Sequence, residues 1–249
     1  MSGVIRSATG IGSDRSGGLP RARQARSMLP AIAQSLPLAI GVLLATMPVL
    51  VIPVMLLTRR DAPVLGAFLT GWFAGFLLVG GVSILLVDLA SWLEGGMPAW
   101  IEALRIPLGL LLLGLALVQW HRRSKDGQSP APPFWMGMIE TLTTPRAAGL
   151  GFVTIAFNPK NVPLIMSGGL TIATATPLPH AQLAALIVFT LVASLGVLAP
   201  LLASLLLGKR AQAPLARFKG WVVHYNNHIV AFALLTLGVL LVSSGIARL

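Results

Sequence analysis

The chain has 249 residues, 55% hydrophobic and only 10% charged, whereas an ordinary soluble domain is about a quarter charged, so a conventional soluble core is excluded. Its net charge of +11 lies almost wholly outside the apolar runs, which makes anionic lipid headgroups, not nucleic acid, the expected partner. With no cysteine and four scattered histidines, disulfides, thiolate chemistry and metal-ligand spacing are all missing.

Residues 1–33 hold five arginines, Asp14 and many Gly and Ser, too little apolar surface to pack, and read as a disordered basic tail. The membrane domain is expected over 34–249. Its first span covers 34–57, too long and too proline-interrupted for a cleaved signal peptide. Apolar stretches with few charges then predict spans at about 63–87, 100–120, 147–170, 182–207 and 229–247. The first half therefore runs from 34 to 120, a central loop from 121 to 146, and the second half from 147 to 249. That loop carries Phe134, Trp135, Met136, Met138 and Ile139 beside Pro132 and Pro133; it reads equally as an interfacial segment or a plain loop.

Small residues mark the second span (Ala67, Gly71, Gly75, Gly80, Gly81), the third (Gly109, Gly114) and the fifth (Ser194, Gly196, Pro200). Close helix crossings account for them. Before the sixth span, Lys209, Arg210, Arg217, Phe218, Lys219 and Trp221 form a basic, aromatic stretch suited to an anionic leaflet. His224 follows, a cap or surface residue on one reading and a gating group on another.

Arg59, Arg60, Arg122, Arg123, Lys125, Arg146, Lys209, Arg210, Arg217 and Lys219 fall on one face of a six-span arrangement. Positively charged loops stay in the cytoplasm, which puts both termini outside, although the tail arginines pull the other way. The expected location is the inner (plasma) membrane, as a multi-pass protein.

Three spans on each side of the central loop predict a 3+3 inverted repeat. Pro48 and Pro53 interrupt the first span, and Pro159 and Pro163 interrupt the fourth at the corresponding position. Each proline removes a backbone donor and frees a carbonyl one turn earlier. The fold expected is all-α, with six transmembrane helices of which helices 1 and 4 are broken, and paired breaks point to a binding site.

Lys160 is the one lysine deep in an apolar run, within Phe157-Asn158-Pro159-Lys160-Asn161. A buried ammonium needs a partner. Asp88, near the far end of the second span, and Glu102, near the start of the third, lie at other depths. A bent helix, freed carbonyls or an anionic substrate group would each serve, and the substrate is preferred; the alternative is a structural anchor that snorkels to an interface. The candidate substrate-binding set is Thr46, Pro48, Pro53, Asn158, Pro159, Lys160 and Asn161, with Asp88 and His224 as candidate gating or coupling groups.

The chain resembles the glycolipid-addressing, or sulfolipid-addressing, proteins of the lysine-exporter superfamily from about residue 36 to 249. The resemblance rests on the first-span prolines, Gly71-Trp72, Asn158-Pro159-Lys160-Asn161, the run Ser194-Leu195-Gly196-Val197-Leu198-Ala199-Pro200, and Trp221, His224 and Asn226 before Leu237-Gly238-Val239. Met47 stands where the resemblance implies a serine before the first-span proline, with Thr46 one step earlier. It implies movement of glycolipids or peptidoglycolipids to the cell surface, within a superfamily that exports small solutes.

The expected function is thus a transporter, or transport accessory, for an anionic or glycosylated lipid. An exporter of an amino acid or cation, and a non-transporting partner of a larger lipid exporter, are the alternatives. No nucleophile, base and orienting group converge, so an enzyme is not expected, and neither is a cofactor or a metal. Membrane lipids are the expected partners, with a homo-oligomer open.

Overall fold

The computed structural model describes residues 19–46, 62–121, 143–207, 210 and 212–247. Among the described residues it is all-helical, with nine helices and no strand: α1 (Leu19–Ala45), α2 (Ala62–Leu93), α3 (Ala99–Ala103), α4 (Arg105–His121), α5 (Thr144–Ala156), α6 (Asn161–Ala175), α7 (Pro179–Ala193), α8 (Leu195–Leu207) and α9 (Gln212–Ile246). Four stretches are long and apolar enough to cross a membrane: Met28–Ala45, Ala62–Leu93, Ala99–His121 and His228–Ile246. The bent pair Pro179–Ala193 and Leu195–Ala203 makes five when taken as one span.

Composition assigns residues 1–33 to a tail, yet α1 already begins at Leu19 and contains Pro30 and Pro37. Extending a helix upstream from an existing one fixes one residue per hydrogen bond gained, and arginine, alanine and glutamine are good helix formers. The rest of the predicted tail lies outside the described residues, as does most of the central loop.

α6 forms the centre. From Pro163 to Ala173 nearly every residue is buried, because α1, α2, α4 and α7 all pack on it. α2 lies along α5 and then α6 in one continuous parallel register. Gly71 meets Ala148, Gly75 meets Phe152 and Ile155, Gly80 meets Ile165, and Ser83 meets Gly169. The crossing is tight at its lower end: a Cβ on Gly71 would stand 1.8 Å from the Ala148 carbonyl oxygen, and one on Gly151 would stand 2.1 Å from that of Phe68. Such contact needs glycine, and it lets backbones meet where apolar solvent provides no hydrophobic drive for packing.

α7 runs antiparallel to α2. Leu186 touches Gly80, Phe189 stacks edge-on against Phe76, and Ser194 meets Trp72. Phe68, Trp72 and Phe76, one turn apart, continue that aromatic ladder, and all three are fully buried. α4 pairs mainly with α9, through mutual approach of Gly109 and Gly238.

Two chain breaks flank the middle of α2. One separates α5 from α6 at residues 157–160. The other lies at Ser194, where α7 and α8 bend by 59°. The 182–207 stretch is a single span from sequence; at its bend the Trp72 indole N–H donates to the buried Ser194 hydroxyl at 2.9 Å, and Gly196 follows two residues on, a Ser/Gly pair of the kind at which helices kink. Pro200 sits inside α8, downstream of the bend.

Candidate functional site

The α5–α6 break follows from its residues. Pro159 has no N–H, and the residue before a proline avoids the helical region. Helix α5 ends with the Phe157 N–H on the Val153 carbonyl, and α6 restarts as Asn161 and Val162 donate to the Asn158 carbonyl. The Asn158 side chain accepts from the Lys160 N–H at 3.0 Å. Asn161 reaches back across the gap to the Thr154 carbonyl at 3.4 Å. Pro163 falls in the first turn of α6, where a missing donor costs nothing.

Lys160 is therefore presented at the start of α6, half-buried, with Nζ donating to Gln119 Oε1 of α4 at 2.7 Å. Gln119 is 5% exposed. Measured along α2, the break lies at half-height, between the levels of Gly75 and Gly80; measured along α4, it lies beside the last turn. Asn161 is fully buried, and its Oδ1 accepts no hydrogen bond. An ammonium, an amide with a spare acceptor and a helix N-terminus thus share one spot. The ammonium favours an anion and the α6 dipole adds to it, while the first N–H groups of α6 are taken by Asn158 and Pro163 has none.

The other predicted residues are dispersed. Thr46 is buried just past the end of α1, and its hydroxyl donates to the Val42 carbonyl. Pro48 and Pro53 lie outside the described residues, and so does the break expected at them; the break at 157–160 separates α5 from α6. Pro159 is exposed. Asp88 accepts from Gln182 Nε2 at 3.0 Å, and the same nitrogen donates to the Thr176 carbonyl; this ties α2 to α7 at the end of α6 remote from Lys160. His224 lies in α9, and its side chain is outside the described residues. Among the described residues no group of His, Cys, Asp and Glu is placed to hold a metal.

One charged residue escapes the sequence reading. Arg105 is 3% exposed, at the first position of α4. Its Nε lies 2.6 Å from Glu102 Oε2, and its terminal nitrogens donate to the hydroxyls of Thr171 at 3.0 Å and Thr174 at 3.1 Å on α6. The signal was Glu102 three residues before Arg105 inside an apolar run, an adjacent pair of opposite charges.

The sequence pattern of the Sap, sulfolipid-1-addressing protein family matches residues 36–247. The chain belongs to that family. No curated protein and no solved structure matches it. The matched region takes in the α5–α6 break, the Trp72–Ser194 contact and the two α4–α6 bridges. Membership makes the protein one of the sulfolipid-1-addressing family, with a lipid-related role in the membrane.

Proposed function

We propose that this sulfolipid-1-addressing protein is a plasma-membrane transporter, or transport accessory, that moves an anionic or glycosylated lipid toward the cell surface. Lys160 is the observation that carries the reading: a half-buried ammonium at a helix break, bonded to a neutral acceptor, Gln119. Beside Gln119, a sulfate- or phosphate-bearing headgroup would be a charged acceptor within reach of the same ammonium. Charge-assisted hydrogen bonds are about twice as strong as neutral ones.

On this reading α5 and α6 are the two halves of one broken crossing, since they continue each other along α2. Together with the five spans already counted, they make six, in two inverted halves. The arginines and lysines of the connections orient the Lys160 end toward the cytoplasm.

The test is Lys160→Met in cells, with membrane abundance held equal. The expected outcome is loss of the lipid from the surface fraction and its retention inside. Normal surface lipid in that variant overturns the proposal.

A further inference from the structure

Helices α4 and α6 are antiparallel and joined at two points. Lys160 stands opposite Gln119, and Thr174 stands opposite Arg105. The Lys160–Gln119 and Thr174–Arg105 pairs give matched steps on the two helices, 160 to 174 and 119 to 105, and Thr171, the other partner of Arg105, lies one turn short of that register. Halfway along, Ser167 comes to the level of Leu112. Seven residues turn a helix by about 700°, within about 20° of two full turns, so Lys160, Ser167 and Thr174 share one face of α6. Gln119, Leu112 and Arg105 likewise share one face of α4.

The midpoint has its own signature. Ser167 is fully buried, and its hydroxyl has no hydrogen-bond partner, an arrangement that costs about 1–3 kcal/mol. Thr171 lies one turn further along the same face, bonded to Arg105. In an apolar helix such a polar line is expensive unless something polar uses it. Opposite Ser167 stands Leu112, fully buried, an apolar plug between the two polar ends. The main partner of α4 is α9, not α6, so its backbone stands further from α6 and the seam between them is filled by side chains, with Leu112, Ser167 and Thr171 all buried.

We propose that the α4–α6 seam is the path of the lipid headgroup, with Leu112 as its constriction; the proposal rests on the lipid-transport reading above. At about 1.5 Å per residue, the bridges at Lys160 and Arg105 are about 20 Å apart, two thirds of a hydrocarbon core about 30 Å thick. A hydroxylated, anionic headgroup leaves the Lys160 end, exchanges hydrogen bonds with Ser167 and Thr171, and reaches Arg105, while its acyl chains stay in the bilayer. Glu102 already neutralises that guanidinium, so the arriving anion is let go instead of trapped. The chemistry selects a sulfated or phosphorylated headgroup with hydroxyls.

The experiment uses the full chain reconstituted in phosphatidylcholine vesicles, with fluorescently tagged sulfatide as probe and dithionite quenching as readout of its passage between leaflets. Leu112→Trp should slow passage about tenfold, an increase of about 1.4 kcal/mol in the barrier. Leu110→Trp, on the exposed side of the same helix, should not. Because the chain has no cysteine, Leu112→Cys gives a single thiol, and a bulky methanethiosulfonate should block passage until a reductant removes it. That reversal separates a plugged seam from a misfolded protein. Passage by the wild type that is indifferent to Leu112→Trp, or to modification of the thiol, overturns the seam and leaves the transport reading standing. A thiol that the reagent never reaches, by mass, also overturns the seam. No passage by the wild type overturns the seam as a path the chain provides by itself, and the Lys160→Met cells then decide the transport reading separately.

Discussion

Lys160 Nζ on α6 and Gln119 Oε1 on α4 lie 2.7 Å apart across the only chain break beside a lysine among the described residues. The pairing of a charged donor with a neutral acceptor separates two roles for the amine. Gln119→Glu supplies a carboxylate, which keeps or raises thermal stability but competes with any anionic headgroup. Tagged-sulfatide passage should fall about tenfold, the equivalent of about 1.4 kcal/mol, while the melting temperature holds. Unchanged passage in a stable Gln119→Glu protein would show that Lys160 does not hold an anion.

Arg105 predicts a stability effect. Its fork engages Glu102, Thr171 and Thr174 together, and a buried pair that loses one partner typically costs about 3–5 kcal/mol. Arg105→Met should therefore lower the unfolding temperature in detergent sharply. Arg105→Lys, which retains the charge without the planar fork, should fall between that variant and the wild type. A calorimetric scan of the three proteins decides it, and coincident transitions would count against a structural tie.

The glycines of α2 are not equivalent. Gly71→Ala drives a methyl into the Ala148 carbonyl, whereas Gly81 has nothing within 4 Å of the added carbon. The first substitution should destabilise by about 1–3 kcal/mol. The second should stabilise by about 0.5–1 kcal/mol, as alanine does in place of glycine inside a helix. Fluorescence-monitored unfolding of both variants provides the comparison; the reverse order would refute the α2–α5 packing.

Trp72 and Ser194 invite a double-mutant cycle. Trp72→Phe removes the indole donor and leaves a fully buried hydroxyl without it, at a cost of about 1–3 kcal/mol. Adding Ser194→Ala removes the stranded group and should recover part of that loss. Additive effects of the two changes would mean that the contact does not couple the bend to α2.

What the sequence revealed depended on whether the cause was local. The α5–α6 break is local: Asn158, Pro159 and Lys160 contain both the missing donor and the side chain that turns the backbone. The Ser194 bend has a local part, Gly196 and Pro200 just downstream, and a distant one, since the indole bonded to Ser194 lies 122 residues earlier. Arg105 was hidden in the same way. Glu102 cancels its charge along the chain, and its threonine partners come from α6, 66 and 69 residues away. The amide of Gln119, bonded to Lys160 from 41 residues away, carries no charge and so leaves no mark in an apolar run. Of the small residues read as close crossings, Gly71, Gly75, Gly80 and Gly109 meet a neighbouring helix, whereas Gly81 and Gly114 have nothing within 4 Å of an added Cβ, since a small residue in an apolar helix looks the same on a packed and an open face.

α2 has 32 residues, about 48 Å at 1.5 Å per residue, against a hydrocarbon layer about 30 Å thick. Standing upright, it overshoots that layer, and leaning by the usual amount of about 20° it still does. Asp88, the sixth residue from its end, is the first charge it carries after Ala62, so much of the excess is oily. A steeper tilt or a locally thickened bilayer takes up the difference, at a fraction of a kcal/mol per Å. Lipids with long tails relieve that hydrophobic mismatch, and they will gather beside this helix whatever headgroup they bear.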